Sequence, residues 1–111
     1  MPQLTHPDAR EIRLVDVLAA LGNPVRLGVV ERLARGEHLN CTTALPDVPK
    51  SSASHHWRVL RESGLLHQRK EGRFITMTLR RRDLDDRFPG LLDSVLTATE
   101  PAGNSSATGA R

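Results

Sequence analysis

The chain has 111 residues, 38% of them hydrophobic and 26% charged, with a formal net charge of +3 and a single cysteine. That length predicts one domain, and a lone cysteine excludes an internal disulfide and a cysteine-built metal cluster. Residues 1–10, "MPQLTHPDAR", lack an apolar signal-peptide core, and no run nears about 18 consecutive apolar residues, so neither a secretory leader nor a membrane span is expected and a cytoplasmic location is.

The charge is unevenly placed. Residues 50–82 carry nine Lys/Arg against Glu62 and Glu71, a net +7, which leaves −4 for the rest of the chain. A basic segment of this kind suits one face turned toward a polyanion, and it equally suits a merely solvated surface. Residues 1–8 and 100–111 are too polar to add to a core and are expected to be a flexible N-terminus and a disordered tail, flanking a folded domain over 9–99.

In chain order, "EIRLVDVLAAL" (11–21) predicts a helix with Leu14, Leu18 and Leu21 on one stripe and Ile12, Val15 and Ala19 on another. One stripe suffices for a small core, so the second is free for a partner subunit or for deeper burial. Gly22 and Asn23 end that helix, and Pro24 suits the first turn of the next, which runs to Gly36. Asn40 is expected to cap a short helix over Cys41–Leu45, stopped by Pro46.

"KSSASHHWRVLRESGLL" (50–66) then places Ser51 where an N-cap belongs, with a helix to Ser63 and Gly64 as its stop. At about 100° per residue, Ala53, Trp57 and Leu60 share one face, with His56 at its margin. Ser51, Ser54, His55 and Arg58 gather opposite. Short hydroxyls, an imidazole and a guanidinium at a helix start can donate to phosphates and base edges while letting the backbone approach closely, although serines there also serve as ordinary caps. Past Gly64 the period becomes two: "LLHQRKEGRFITMTL" reads as a β-hairpin divided at Glu71 and Gly72, with Arg69, Lys70 and Arg73 at its tip. Finally Leu84, Phe88, Leu91, Leu92, Val95 and Leu96 make an apolar stripe, broken so that a last helix starts at Pro89. Joined to the spare stripe of the first helix, it would pair two chains and set two exposed helices about 34–36 Å apart; the alternative is that it caps its own domain.

These elements carry a family resemblance. "ALGNPVRLGVVERLARGE" is similar to the second-helix signature of ArsR/SmtB-type bacterial transcriptional repressors, and "KSSASHHWRVLRESGLLHQRKEGRFITMTL" resembles their recognition helix and wing, the likeness covering residues 12–98. Its most specific residues are Ser51, Ser54, His56, Leu60, Arg61, Glu62, Gly64 and Leu65. The resemblance implies a mainly α fold with a small β-hairpin (α+β), a winged helix-turn-helix that dimerises through its first and last helices. It further implies a homodimeric repressor on an inverted-repeat operator in double-stranded DNA. Lys50, Ser51, Ser52, Ser54 and His55 match the DNA-contacting start of the recognition helix, and His56 matches a packing position. Arg58 is added as a phosphate contact from the helical projection, and the wing contacts fall to Arg69, Lys70 and Arg73.

The chain departs from the family at the sensor. Where the metal-sensing branch has a paired-cysteine "ELCVC"-like element this sequence has "EHLNC", and "RRRDLDDRFPGLLDSVL" holds no histidine for the other branch's site. His38 and Cys41 offer two donors for a soft metal, which usually takes about four, and a site would need His67 or a second subunit besides; no metal and no cofactor is expected. Cys41 is read as a small apolar residue, with thiol-based redox sensing as the alternative. No enzyme is expected: Asp85 and Asp86 are adjacent, no glycine-rich phosphate loop occurs, and the serines lack a His/Asp relay. A winged-helix protein-interaction or RNA-binding module is the rival reading. It would want exposed aromatic or large apolar anchors at the helix tip, where this chain has serines, His55 and Arg58.

Overall fold

The computed structural model describes residues 4–100. A 3-10 turn at Ala9–Glu11 leads into helices α1 (Leu14–Leu21) and α2 (Pro24–Ala34), and a two-residue strand β1 (Leu39–Asn40) follows. Next come helix α3 (Lys50–Glu62), the hairpin β2 (Leu66–Glu71) and β3 (Phe74–Leu79), and helices α4 (Arg81–Arg87) and α5 (Leu91–Ala98). The sheet is antiparallel in the order β1-β3-β2, registered Leu39↔Met77 and from Leu66↔Leu79 to Glu71↔Phe74. This is a winged helix-turn-helix, with α2 and α3 as the helix pair and the hairpin as wing.

Local chemistry sets the boundaries. Asn23 Oδ1 accepts from the amides of Val25 and Arg26 at 2.9 and 3.2 Å, and Pro24 occupies the first helical position, so α2 starts where its orphan donors are met. Both α2 and α3 end in a Schellman closure. Gly36 N–H donates to Leu33 O and Glu37 N–H to Arg32 O; Gly64 N–H donates to Arg61 O and Leu65 N–H to Leu60 O. The glycines take φ of 91° and 92°, which a side chain would resist. Gly72, at φ 63°, opens the two-residue turn that lets Glu71 face Phe74.

The core gathers Ile12, Val17, Val29, Val30, Trp57, Leu60, Leu65, Leu66, Met77, Leu84 and Leu92, each at most 5% exposed. Burying each large aliphatic contributes about 1.5–3 kcal/mol. Trp57 and Leu60 lock α3 to this core, and Leu65, Leu66 and Met77 lock the wing. The angle between helix tip and wing is therefore fixed from inside.

Several expectations are corrected. The first helix is shorter than 11–21, and its inward face is Val17, Ala20 and Leu21, while Leu14, Val15 and Leu18 point outward; the two stripes divide differently because Ile12 enters the core from an extended residue ahead of the helix. The short helix at Cys41–Leu45 is a turn. Asn40 Oδ1 does accept from the Thr42 and Thr43 amides, but Cys41 N–H donates to Ile75 O, tying that residue to the sheet instead of a helix. Pro49, not Ser51, is the cap of α3, and Ser51 lies inside the first turn. The wing divides at Gly72 and Arg73 rather than Glu71 and Gly72. The last helix starts at Leu91, after Gly90 in the left-handed conformation. Before Ala9, Thr5, His6 and Pro7 run alongside β2: Arg61 Nε donates to Thr5 O (3.2 Å), Gln68 N–H to His6 Nε2 (2.9 Å) and Arg80 Nη1 to Pro7 O (2.8 Å). Residues 1–3 and 101–111, within the expected flexible and disordered ends, lie outside the described residues.

Candidate nucleic-acid interface

Helix α3 divides as its periodicity implies. Ala53, Trp57 and Leu60 are buried, and Lys50, Ser51, Ser52, Ser54, His55 and Arg58 are exposed. Because Pro49 caps the helix without a side-chain acceptor, the serines are not engaged as caps, and none of Ser51, Ser52 and Ser54 makes a side-chain hydrogen bond among the described residues. The first-turn amides and these hydroxyls thus face solvent together, at the positive end of the helix dipole. Small side chains leave the helix start slender.

The wing lies on the same chain segment. Arg69, Lys70 and Arg73 are all exposed, and Arg69 reaches Glu71 Oε2 at 3.7 Å, a solvated pair of little energetic weight. Lys70 and Arg73 form no ion pair among the described residues. Phe74, which sequence reasoning did not single out, stands 42% exposed beside Arg73 at the hairpin turn. Its place right after a two-residue turn, where strand alternation has no partner layer, was the available signal.

Three of the nine cations in 50–82 are committed elsewhere. Arg61 donates to Gln68 Oε1 (2.8 Å) as well as Thr5 O, Arg80 pairs with Asp83 (3.0 Å), and Arg81 pairs with Asp85 (3.3 Å) and with Asp93. The segment's charge therefore overstates the cationic face, which narrows to Lys50, Arg58, Arg69, Lys70 and Arg73 on α3 and the wing, with Arg82 exposed apart from them on α4.

His56, half-buried behind the tip, is held by α2: Arg26 Nη1 donates to its Nδ1 at 3.2 Å. A guanidinium only donates, so Nδ1 is the acceptor and the neutral ring carries its proton on Nε2. Burial, then the Arg26 charge, then His55 hold its pKa below the usual histidine range.

Cys41 sits behind the wing. Gln68, a buried polar residue, donates from Nε2 to its Sγ at 3.1 Å, and burial pushes the thiol pKa up, against the thiolate that oxidation and metal binding require. His67 stacks on His6 with ring centroids 4.3 Å apart. Among the described residues no three His, Cys, Asp or Glu side chains converge as a ligand set. No helix there is long and apolar enough to cross a membrane.

Comparisons with known proteins agree with this architecture. A helix-turn-helix domain family matches residues 21–69. The HTH-type transcriptional regulator YceK of Bacillus subtilis (strain 168), described as uncharacterized, is 30% identical over 82 residues, 71% of this chain and 82% of that protein. Among solved structures, a possible transcriptional regulator for arsenical resistance is 30% identical with a TM-score of 0.57, over 83% of this chain and 94% of the other. HlyU from Vibrio cholerae N16961 is 26% identical with a TM-score of 0.54, over 70% and 88%. An ArsR family transcriptional regulator at 23% identity shares the fold with a TM-score of 0.61, over 79% and 98%. With its tip and wing arranged as above, the chain belongs to the ArsR-type winged helix-turn-helix transcriptional regulators, whose helix-turn-helix is a DNA-binding domain.

Proposed function

We propose that the chain is a dimeric, sequence-specific repressor that inserts the start of α3 into the major groove of an inverted-repeat operator and straddles the adjacent backbone with its wing. The observation that carries this is the exposed set of serine hydroxyls and first-turn amides at 50–54, without side-chain partners among the described residues and flanked by exposed wing cations. A groove about 12 Å wide admits a helix whose leading side chains are small. Ser51, Ser52, Ser54 and His55 meet base edges and nearby phosphates; Lys50, Arg58, Arg69, Lys70 and Arg73 take phosphates. The repressor role follows from the family resemblance.

Pairing of two chains is supported by the outward face of α1, where Leu14, Val15 and Leu18 are 46%, 59% and 46% exposed. A cleft of about 430 Å³ lined by Leu14, Phe88, Pro89, Gly90, Leu91 and Ser94 joins α1 to the start of α5, so both helices contribute to one apolar surface. Two copies joined there by a two-fold axis would offer their α3 tips to successive turns of one duplex. A Leu18→Glu chain is expected to sediment as a monomer and to bind half-sites only.

A soft divalent metal does not fit the residues present: Cys41 has a raised pKa and Gln68 on its sulfur, and among the described residues no further donors converge on it. Selection of duplexes from a random pool tests the whole reading. An enriched inverted repeat with half-sites one helical turn apart is expected; recovery of unrelated sequences with no enrichment refutes it.

A further inference from the structure

Arg26 carries a positive charge beside the recognition helix yet presents none of it to the exposed tip. Its Nε donates to Ala20 O at 2.8 Å and its Nη2 to Ala19 O at 3.3 Å, both carbonyls in the last turn of α1, while Nη1 reaches His56 Nδ1. Its backbone amide is held by Asn23. One rigid planar fork on the first turn of α2 thus ties the end of α1 to α3. The last-turn carbonyls form the negative end of the helix dipole and attract a cation, so the first two bonds orient the guanidinium and leave the third aimed at His56. Elsewhere α1 and α3 flank an open cleft of about 290 Å³ lined by Asp16, Ala19, Val59, Glu62 and Ser63, so apolar packing does not fill the space between these helices there.

We propose that Arg26 is a positioning residue for the recognition helix, fixing through His56 the angle at which Ser54 and His55 meet the bases. The inference rests on the reading of α3 as the DNA-contacting helix. His56 is one residue from His55 and two from Ser54, so a shift of its ring along α2 moves both. The same fork contacts α1, whose outer face carries the proposed subunit contact. It is thus a polar link from that surface to the tip of α3. A lysine cannot replace it, because a single ammonium lacks the planar geometry that spans two carbonyls and an imidazole together.

The test compares full-length variants on two duplexes: the sequence enriched by the parent chain and a random sequence of equal length. Arg26→Lys and His56→Leu are expected to lower the affinity ratio between the duplexes by about tenfold, the order of one misplaced base contact, with random-duplex affinity unchanged. His56→Asn, which keeps an acceptor near the Nδ1 position, retains the ratio. The double variant Arg26→Lys/His56→Leu is expected to be no worse than either single one, since both remove one link. Equal weakening on both duplexes, additive losses in the double variant, or failure of His56→Asn to rescue would overturn the proposal. Ser54→Ala and His55→Ala are measured alongside. If those lower the ratio and the Arg26 and His56 variants do not, the positioning role alone falls; if none does, the reading of α3 falls with it.

Discussion

Replacing Gly64 with alanine should damage the protein in two separable ways, and Gly36 supplies the control. Both glycines close a helix by the same pair of hydrogen bonds at nearly the same φ, 92° and 91°. A side chain in that left-handed region costs about 1–2 kcal/mol at either site. Around Gly36 a new Cβ would meet nothing within 4 Å, whereas at Gly64 it would lie 2.5 Å from Ile12 Cγ1 and 2.7 Å from Cδ1. Ile12 is 1% exposed and its carbonyl is held by Arg87, so it cannot simply retreat. Such overpacking adds about 1–3 kcal/mol. A domain of this size loses about 4–8 °C of midpoint per kcal/mol, so Gly36→Ala should melt about 5–15 °C below the parent and Gly64→Ala about twice as far below. Circular dichroism melts would measure both. Ile12→Val, which removes Cδ1, should cost less in the Gly64→Ala background than in the parent. Equal melting points for the two glycine variants would refute the account of Gly64 as a residue kept small by Ile12.

Ser54→Ala or His55→Ala should cost about 1–3 kcal/mol of discrimination, while Lys70→Ala or Arg73→Ala should weaken enriched and random duplexes alike and reduce the slope of log affinity against log salt by about 1 per lost phosphate contact; titrations at several salt concentrations separate the two patterns. Acid should destabilise the fold through His6 and His56, whose pKa values are lowered from 6.5 in the folded chain, chiefly by burial. A histidine with a depressed folded pKa contributes stability that is present above about pH 6.5 and lost as pH falls toward its folded value. The denaturation midpoint should therefore drop below that pH, and His6→Gln, which keeps an acceptor for Gln68 N–H but does not titrate, should flatten the curve. Peroxide should leave operator binding intact, given the raised Cys41 pKa; a reversible loss, absent in Cys41→Ser, would instead establish thiol sensing.

Most of the architecture was legible because its cues are local. The period of α3 sorted Trp57 and Leu60 from Ser54 and Arg58, and the change to a period of two at Gly64 announced the wing. What escaped depends on distant partners. Asn40 accepts from the amides that follow it, as its residue type implies, yet the turn after it does not extend because Cys41 N–H belongs to Ile75, far along the chain. Residue preference points to Ser51 as the cap, whereas the backbone at Pro49 begins the helix earlier. Counting charge could not reveal that Arg61, Arg80 and Arg81 serve internal carbonyls and carboxylates, nor could it pair Arg26 with a histidine thirty residues on.

The stretch from Thr5 to Pro7 has a practical bearing on handling the protein. β2 is the outermost strand of its sheet, and His6 occupies the outward amide of Gln68 that would otherwise be open to a stranger's carbonyl. A preparation clipped ahead of Asp8 would bare that rim and invite strand addition between molecules, the first step toward aggregates. Affinity handles fused at the other end leave this seal undisturbed, and mass spectrometry of any precipitate should find chains that begin at Asp8.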